Sequence, residues 1–326
     1  MKPPYDITPE ILNLIASASE KLGEINASHL YRPSPQLRRE NRIRTVQSSV
    51  AIEGNSLSLD QVTAIFDGKK VTGPKTDILE VKNAIELYKR ISEFDPYSLS
   101  SFLKAHSVLM KGLAGDPGKF RSGSLGIVKG AEVMHIAPPG DRVKFLMSDL
   151  FKYLKNVKDS VLIKSCVFHY ETEFIHPFSD GNGRIGRFWQ TLILCGKYPV
   201  FEYLPIESII KEKQQRYYDV LSACDKEGKS TKFIEFMLGI IVSELEKILI
   251  NETKVMSSED RLCAAKQKFG EKEFSRKEYL RLFKNISPAT ASRDLKAGSV
   301  SGLLLKKGDK NRAVYLFDDD LFEYMT

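Results

Sequence analysis

The chain has the sequence FIHPFSDGNGRIGR from Phe174 to Arg187, and apolar residues at helical spacing lie on both sides of it. Pro177 disfavours the α-conformation of the residue before it, so we expect the first helix to end at His176. The polar residues therefore lie on a short connection between two buried helices. Loops held by a rigid scaffold are where binding and catalytic residues concentrate.

Two glycines in this connection predict a binding site for an anion. Gly181 and Gly183 permit backbone conformations and close approaches that a side chain would block. Their amides, at the start of the second helix, can point together at an anion, where the helix dipole is favourable. Arg184 and Arg187 lie on one helical face, so both guanidinium groups can reach a bound polyphosphate. The pattern is not a Walker A loop, because GxxxxGK[ST] is absent from it.

Two further side chains in the connection predict phosphate chemistry. Asp180 supplies a hard oxygen ligand, and Mg²⁺ usually takes one or two carboxylates together with phosphate oxygens. His176 can accept a proton from an attacking hydroxyl, because the ordinary pKa of a histidine side chain, about 6.5, leaves it largely neutral in the cytoplasm. The alternative, a core histidine beside a solvated basic face, explains neither the two glycines nor the Asp-Asn pairing.

The N-terminal part of the chain, residues 1–75, predicts two helices in succession. Residues 35–52 have apolar positions on one side, and Gly54 follows them as a helix stop. Ser58 and Gln61 have the capping-box spacing that begins a second helix. We expect this region to precede the main domain.

Helical spacing dominates from Ile78 to about Leu245, which predicts a main domain at residues 76–250. One segment inside it differs, because the apolar residues of Ser124–Ile136 lie among glycines and end before two prolines. This pattern predicts a short β-hairpin, or flap. The expected fold class is therefore mainly α, a helical bundle with a β-hairpin flap.

The last part of the chain, residues 251–326, predicts a small α+β domain. Serine caps predict two short helices, one from Ser275 through Phe283 and one from Ser287 to near Leu295. Two strands are predicted after them, at Leu303–Lys306 and Ala313–Phe317. Helix, turn, helix and hairpin in this order indicate a winged helix.

Two kinds of partner stay open for this domain. Basic residues on its second helix and wing favour DNA binding, namely Arg293, Lys296, Lys306, Lys307, Lys310 and Arg312. The alternative is a protein-contact or dimerisation module with a solvated basic face. The charge of the whole chain does not decide, because 49 basic against 42 acidic residues is a mild excess.

Composition predicts an ordinary globular protein of the cytoplasm. The four cysteines form no CxxC pair and lie in apolar helical segments, so we expect buried free thiols rather than disulfides or zinc ligands. No apolar stretch approaches the ~18 residues of a membrane span, and the first residues lack the pattern of a leader. We therefore expect no membrane partner.

The stretch from His176 to Arg187 resembles a known family. It matches the Fic family pattern HPFx[DE]GNGRxxR at every specified position. The similarity extends over most of the chain, since Asn83, Arg121 and His135–Pro139 lie where the family's bundle and flap have comparable residues. The resemblance implies a Fic-fold helical bundle, to which a C-terminal winged helix is a frequent addition.

The resemblance implies a role for each residue of the motif. His176 would be the general base, and Asp180 would be the Mg²⁺ ligand. Arg184 would contact the β-phosphate of ATP and Arg187 the γ-phosphate. The other nucleotide-binding residues would be Gly181, Asn182 and Gly183, which form the phosphate cradle, and Gly186.

Two segments outside the motif resemble substrate-binding segments of Fic proteins. Tyr217 and Tyr218 are similar to a tyrosine pair that holds adenosine in some members, and both belong to the expected ATP-binding set. Asp225 completes that set, at a position where those members have asparagine. The flap residues that would line the groove for the target, by pairing of backbone strands, are Val133, Met134 and His135.

A second motif lies upstream, where Ser49–Gly54 has the sequence SVAIEG and fits the family's inhibitory pattern [ST]xxxE[GN]. Glu53 would pair with Arg187 and occupy the place of the γ-phosphate, so that ATP binds in a non-productive pose. Ser49, one turn earlier on the same face, would be an ancillary contact. The alternative is a helix end with a solvated glutamate.

The resemblance implies transfer of AMP from ATP to a Ser, Thr or Tyr hydroxyl of a target protein, with release of pyrophosphate and inhibition by Glu53. Three alternatives stay open: transfer of phosphate or phosphocholine, removal of AMP with Glu53 aligning a water, and a nucleotide-sensing winged-helix transcriptional regulator. The expected partners are ATP, Mg²⁺ and a hydroxyl-bearing protein, the chain itself included. A homodimer is one of the expected assemblies.

Overall fold

The computed structural model describes residues 2–27, 35–123, 126–129, 132–252, 257–270, 272–283, 286–308 and 313–318. These residues form two compact units, Met1–Leu245 and Glu246–Thr326. Helices dominate, so the mainly α fold class is confirmed. No helix in the described ranges has the length and apolar character needed to cross a membrane.

The first unit is built almost entirely of helices. Its N-terminal region contributes α1 (Pro9–Ala27), α2 (Pro35–Ile52) and α3 (Leu59–Phe66). The helices that follow are α4 (Lys75–Lys89), α5 (Leu99–Leu109), α6 (Gly140–Asn156), α7 (Val161–Ile175), α8 (Asn182–Cys195), α9 (Ile206–Glu212), α10 (Gln214–Glu227) and α11 (Thr231–Glu252), with 3₁₀ turns at Ile91–Glu93 and Pro199–Tyr203. Helix α11 ends beyond the boundary of the unit.

Helices α7 and α8 form the centre of this unit. Nearly every residue of α8 is buried, and its indole, Trp189, is completely buried. Phe102 of α5 meets Trp189 edge to face, with 5.0 Å between ring centroids, and Phe151 and Phe168 complete the cluster. Buried aromatic side chains remove large apolar areas from water. The connection between α7 and α8 is therefore anchored on both sides by the core.

Helix α2 has the predicted bounds and ends in a Schellman motif. The amide of Gly54 donates to the carbonyl of Ala51, and the amide of Asn55 donates to the carbonyl of Val50, both at 3.2 Å. Gly54 has φ +93°, a conformation that favours glycine. This geometry makes Glu53 the last residue before the chain reverses into α3, whose predicted capping box at Ser58 is confirmed.

The predicted hairpin is present. Strands β1 (Gly126–Lys129) and β2 (Glu132–Ile136) pair antiparallel, with an irregularity in register after Ile127. Val133, Met134 and His135 lie in β2, where Val133 is paired with Val128 and His135 with Ile127. Their side chains lie outside the described part of the structure.

The second unit has the order of elements that we expected for a winged helix. It contains α12 (Ser258–Phe269), α13 (Arg276–Leu282) and α14 (Pro288–Val300), and the predicted caps at Ser275 and Ser287 are confirmed. Strands β4 (Leu304–Lys307) and β5 (Val314–Phe317) form the hairpin, and β3 (Phe274–Ser275) pairs with β5. Lys310 and Arg312, predicted on the wing, lie outside the described residues.

Two details of this unit differ from the prediction. Helix α14 extends to Val300 instead of ending near Leu295, because its last turn packs on the hairpin. A Cβ at Gly298 would lie 2.8 Å from Cδ1 of Leu304, so this glycine is a packing position rather than a helix stop. Strand β3 was not predicted, because two residues are too short to show a periodic pattern.

The four cysteines are free thiols on helices, as expected, but only two of them are fully buried. Cys166 and Cys224 have no solvent exposure, whereas Cys195 and Cys263 are partly exposed. Cys195 is the last residue of α8, where the helix leaves the core. The prediction that all four thiols are buried is therefore wrong for these two.

A buried ion pair lies in the core of the second unit. The guanidinium of Arg261 donates to both carboxylate oxygens of Asp294, at 2.6 and 2.8 Å, and the hydroxyl of Tyr279 donates to the same carboxylate at 3.3 Å. The Asp294 side chain is only 3% exposed. Bidentate pairs of this kind fix geometry as well as charge, so Arg261 and Asp294 join α12 to α14.

We expect Asp294→Ala to destabilise the second unit by about 3 to 5 kcal/mol, because it removes the carboxylate that balances the largely buried Arg261 charge. Thermal unfolding of the full chain, followed by circular dichroism, should show a transition at lower temperature than in the parent. Lys277→Ala, which truncates an exposed side chain of α13 in the same unit, is the control and should leave the transition in place. Equal midpoints for Asp294→Ala and the parent would refute a structural role for the pair.

Candidate active site

The connection between α7 and α8 is a tight loop with two left-handed residues. His176 has φ +49°, which is uncommon for a residue other than glycine, and its amide still donates to the carbonyl of Thr172 at 3.0 Å. Gly181 has φ +82°, and α8 begins at the next residue. The loop thus turns sharply at each end, and the strained conformation at His176 is of the kind found at functional sites.

Arg121 stabilises the loop through hydrogen bonds to its backbone carbonyls. Its Nε donates to the carbonyl of His176 at 2.7 Å, and its Nη2 donates to the carbonyl of Ile175 at 3.1 Å. The same side chain donates to the carbonyls of Gly123 and Pro138, which flank the flap. These bonds satisfy carbonyls that the end of α7 leaves without helical partners. Arg121 therefore ties the base of the flap to the loop.

Asn182 closes the loop on itself. Its Oδ1 accepts from the amide of Phe178 and its Nδ2 donates to the carbonyl of the same residue, both at 2.9 Å. The carboxamide is fully buried, so it stabilises the loop from within. Because both polar atoms of the carboxamide bind Phe178, Asn182 could contact a phosphate in the predicted cradle only through its backbone amide.

His106 was not predicted as a site residue, yet it holds the loop from α5. Its Nδ1 accepts from the amide of Gly118 at 2.9 Å, so Nε2 carries the proton that is donated to the carbonyl of Asp180 at 2.9 Å. The ring stacks on Phe178, with 3.5 Å between centroids. Burial lowers the pKa of His106 to about 4, which keeps the ring neutral.

Asp180 and Arg184 lie together at the start of α8. Oδ1 of Asp180 accepts from the amide of Gly181 at 2.5 Å and from Nη2 of Arg184 at 2.7 Å. The other terminal nitrogen of Arg184 forms an ion pair with Glu80 of α4. The Nε of Arg184 is buried and has no hydrogen-bond partner among the described residues. A buried donor left in this way is costly, so an acceptor that reached it would be bound favourably.

Arg187 is buried against the end of α2. Its Nη2 donates to Oε1 of Glu53 at 2.6 Å and to the carbonyl of Ser49 at 3.0 Å, and its Nε approaches the Ser49 hydroxyl at 3.4 Å. The Arg187 side chain is 1% exposed and that of Glu53 is 31% exposed. Burial alone would lower the pKa of Arg187, but the neighbouring Glu53 carboxylate is the largest of several groups that together raise it above its ordinary value.

The two remaining glycines of the motif are positions of close approach. A Cβ at Gly183 would lie 2.4 Å from Oε1 of Glu53 and 2.9 Å from Nη1 of Arg187, so a side chain there would displace this pair. A Cβ at Gly186 would lie 3.2 Å from Cδ2 of His169, on α7. A glycine is therefore needed at position 186 because α8 packs closely on α7 there.

His176 has the tautomer that a proton acceptor needs. Its Nδ1 lies 3.3 Å from the carbonyl of Glu173, and a carbonyl can only accept, so Nδ1 carries a proton. In the neutral ring the lone pair is therefore on Nε2. Burial would raise the pKa of the Glu173 carboxyl, but its hydrogen bond to His169 and the nearby positive charges outweigh this and lower the pKa. Glu173 is therefore a carboxylate, and it lies near the end of α7.

The tyrosine pair and Asp225 have different hydrogen-bond partners in this structure. The Tyr217 hydroxyl is buried between Nε2 of His169, at 3.1 Å, and Oε1 of Glu173, at 3.2 Å. The Tyr218 hydroxyl lies 3.5 Å from the carbonyl of Ile52, at the end of α2. Asp225 accepts from the hydroxyl of Tyr170 at 2.9 Å. Of the three, Tyr218 lies closest to the Glu53 turn.

Comparisons with known proteins agree with this geometry. A model of the Fic/DOC family matches residues 96–194. A crystal structure of a Fic family protein from Desulfovibrio desulfuricans G20 is 39% identical, covers 98% of this chain and 99% of its own, and has a TM-score of 0.75. The chain belongs to the Fic family. The Fic-fold bundle that the sequence predicts is thereby confirmed.

More distant relatives share part of the chain. "Protein adenylyltransferase Fic" of Culex quinquefasciatus is 32% identical over 215 residues, which are 61% of this chain and 40% of the mosquito protein. The protein of the same name from Aedes aegypti is 31% identical over the same shares. The chain thus spans about two fifths of the length of these curated relatives. Fic-1 of C. elegans, 19% identical with a TM-score of 0.62 over 74% of this chain and 72% of its own, shares the fold.

The loop of this Fic protein fits Mg²⁺ only in company with a nucleotide. In the described ranges, no group of three or more His, Cys, Asp or Glu side chains could hold a metal ion. Asp180 has a carboxylate that is 59% exposed and uses Oδ1 for its contacts with Gly181 and Arg184. One carboxylate together with phosphate oxygens is a usual ligand set for Mg²⁺, so the residues fit a metal that binds with ATP.

The buried neutral state of His106 predicts a loss of stability in acid. Its folded pKa of about 4 lies below the ordinary value of 6.5, so the unfolded chain takes up the proton first as pH falls. The stability that the neutral, buried His106 ring contributes is fully present above pH 6.5 and is lost as pH falls towards 4. The difference between the folded and the ordinary pKa of His106 corresponds to about 3 kcal/mol in the free energy of unfolding.

We expect His106→Gln to lose this part of the pH dependence, because glutamine stays neutral. Urea unfolding of parent and variant between pH 7 and pH 4 measures the difference between them, in which other titrating groups cancel. The free energy of unfolding of the parent should approach or fall below that of the variant in acid. Parallel curves would show that His106 does not carry the effect.

Proposed function

We propose that the chain is a protein adenylyltransferase, which transfers AMP from ATP to a Ser, Thr or Tyr hydroxyl of a target protein. The observation that carries the proposal is the arrangement of the α7–α8 loop. A histidine whose Nδ1 is held by a carbonyl, an exposed carboxylate and a buried Nε of Arg184 with no partner among the described residues lie on one short segment. Relatives of the same family bear the name Protein adenylyltransferase Fic, which supports the same reaction.

The proposed reaction is an in-line displacement at the α-phosphorus. The target hydroxyl oxygen forms a bond to phosphorus while the bond to the β-phosphate oxygen breaks, and pyrophosphate leaves with that electron pair. Nε2 of His176 takes the hydroxyl proton, a contribution of roughly 10² to 10⁴-fold to the rate. Arg184 binds the β-phosphate and Arg187 the γ-phosphate, and the amide of Gly183 faces the anion. The amide of Gly181, which donates to Asp180 in this structure, would join it on leaving that carboxylate. Mg²⁺ held by Asp180 would neutralise phosphate charge.

We propose that Glu53 inhibits this transfer. The contact of 2.6 Å between Glu53 and Arg187 supports the proposal, because it uses the terminal nitrogen that would hold the γ-phosphate. Holding about 99% of the protein in the closed state requires only ~2.7 kcal/mol. One charge-assisted pair contributes about 1.5 to 3 kcal/mol, which is of the required size.

The proposal extends to the organisation of the chain. Residues 1–75 would form the inhibitory region, 76–250 the catalytic domain and 251–326 the winged helix. The flap residues Val133, Met134 and His135 would bind the target through their backbone, and Tyr217, Tyr218 and Asp225 would approach adenosine. We place the protein in the cytoplasm, and we include a second copy of the chain among its targets and assemblies.

We expect Glu53→Gly to retain label from α-labelled ATP and Mg²⁺ on protein up to about a hundredfold more strongly than the parent, because inhibition is removed. Glu53→Gln keeps the shape of the side chain without its charge and should behave similarly. Adding His176→Ala to Glu53→Gly should abolish the label while ATP binding survives. Label that persists at the same rate without His176 would refute its role as the base.

Other donors and the reverse reaction have distinct outcomes in the same assay. Label from γ-labelled ATP instead of α-labelled ATP would indicate phosphate transfer, and a mass shift of the target would identify phosphocholine. Loss of AMP from a modified target in the absence of ATP would indicate that removal is the main activity. Absence of label from every variant would refute AMP transfer.

We propose, as a second function, that the C-terminal unit binds duplex DNA through α14. The supporting observation is the distribution of charge on this helix. Its one acidic residue, Asp294, is buried in the pair with Arg261, whereas its basic residues, Arg293 and Lys296, are exposed. The exposed side of α14 thus has only positive charge, as phosphate contacts require, and the second helix of a helix-turn-helix is the one that enters the major groove.

We expect the double variant Arg293→Ala/Lys296→Ala to bind DNA fragments more weakly in a gel-shift assay, with a salt dependence reduced by about one unit of slope per lost phosphate contact. The control is Lys268→Ala/Lys272→Ala, which removes the same charge from other parts of the unit. Equal binding by the two double variants would refute α14 as the contact surface. No binding by the parent would favour the protein-contact module.

A further inference from the structure

One carboxylate outside the motif joins the first arginine of the motif to the inhibitory turn. Oε1 of Glu80, on α4, forms an ion pair with Nη1 of Arg184. Oε2 of the same residue accepts from Nδ2 of Asn55 at 2.6 Å. The Glu80 side chain is 12% exposed and that of Arg184 8% exposed, so both charges are largely withdrawn from water. No pattern in the sequence singles out Glu80.

The donors of Arg184 are used unequally. Nη1 donates to Glu80 and Nη2 donates to Asp180 at 2.7 Å, while the buried Nε has no partner among the described residues. In a guanidinium group, Nε and Nη2 lie on one edge, which binds the two oxygens of a carboxylate or phosphate together. That edge faces Asp180, yet only one of its two donors is occupied.

Removal of Glu80 would let this edge close on Asp180. The two side chains already meet, because Nη2 of Arg184 donates to Asp180, and a carboxylate is the natural partner of both donors. The resulting bidentate pair would occupy the Asp180 carboxylate and the phosphate-binding edge of Arg184 at once. Glu80 opposes this closure because it holds Nη1 from the other side.

We propose that Glu80 is a positioning residue, which holds Arg184 so that its Nε–Nη2 edge stays available to the β-phosphate of the nucleotide. The inference rests on the proposed function only in taking the nucleotide as the ligand. It assigns Glu80 no contact with the reacting atoms, because its two oxygens are used by Arg184 and Asn55.

Asn55 fixes the position of Glu80 and links it to the turn after Glu53. Nδ2 of Asn55 also donates to the carbonyl of Asp77 at 3.1 Å. Ser56 binds the carboxylate of Asp77 through its amide, at 2.8 Å, and its hydroxyl, at 2.6 Å. The first turn of α4 and the turn after α2 are thus held together. The orientation of Arg184 therefore depends on the same turn that positions Glu53.

The test is isothermal titration of the full chain with ATP, ADP and AMP in the presence of Mg²⁺, in the Glu53→Gly background. We expect Glu80→Ala to weaken binding of ATP and ADP by about tenfold to a hundredfold, the size of one charge-assisted hydrogen bond. Binding of AMP should stay unchanged, because AMP has no β-phosphate. Glu80→Gln keeps an acceptor without the charge and should show a smaller loss.

Three controls separate positioning from a general effect on the fold. Adding Glu80→Ala to Arg184→Ala should cause no further loss of ATP affinity. Asn55→Ala should cause a small loss, because it releases Oε2 of Glu80. Glu86→Ala removes an exposed carboxylate of α4 that pairs with Arg90, and it should have no effect.

Unchanged or tighter binding of ATP by Glu80→Ala would overturn the proposal, as would an equal loss of AMP binding. The titration measures binding rather than transfer. Absence of AMP transfer would therefore refute the proposed function without altering the ratio of ATP to AMP affinity from which the role of Glu80 is judged.

Discussion

The buried charge of Arg187 is the constraint on which the rest of the site depends. A guanidinium with 1% exposure needs negative charge beside it, because breaking a buried pair costs about 3 to 5 kcal/mol. In this structure Glu53 supplies that charge. In the proposed reaction the γ-phosphate supplies it instead, so the carboxylate and the phosphate are alternative partners of one cation. The proposed inhibition then needs no separate site, because Glu53 and the γ-phosphate would compete for the same guanidinium.

The two arginines of the motif differ in how their partners relate to the nucleotide. In the proposed reaction, Glu53 lies at the place of the γ-phosphate, so it would have to leave Arg187 when the nucleotide binds. Glu80 of α4 binds Nη1 of Arg184, which lies outside the Nε–Nη2 edge proposed for the phosphate. Glu80 can therefore stay in place when the nucleotide binds. Two carboxylates of the same chemistry thus have opposite proposed effects on nucleotide binding. The difference lies in which nitrogen of the guanidinium each one occupies.

The sequence predicted the parts of the fold that depend on local chemistry. Helix α2, the caps at Ser58 and Ser275 and the hairpin follow from signals within a few residues. It did not predict the roles of His106, Arg121 and Glu80. The first two bind backbone groups distant in the chain, which any residue could provide, and Glu80 has a partner 104 residues away. A motif states which side chains face the ligand, whereas the groups that hold the motif in place leave no pattern of their own.

The backbone geometry at the end of α2 explains why the glutamate and the glycine of the short inhibitory pattern occur together. The Schellman bonds of Gly54 and Asn55 require a left-handed residue directly after Glu53, which glycine adopts without strain. They fix Glu53 as the residue directly after the helix, where its side chain reaches Arg187, and they direct Asn55 towards Glu80. The glutamate and the glycine of the inhibitory pattern therefore act as one unit. The glycine sets the position from which the carboxylate can bind the arginine, and the next residue connects that position to the other arginine of the site.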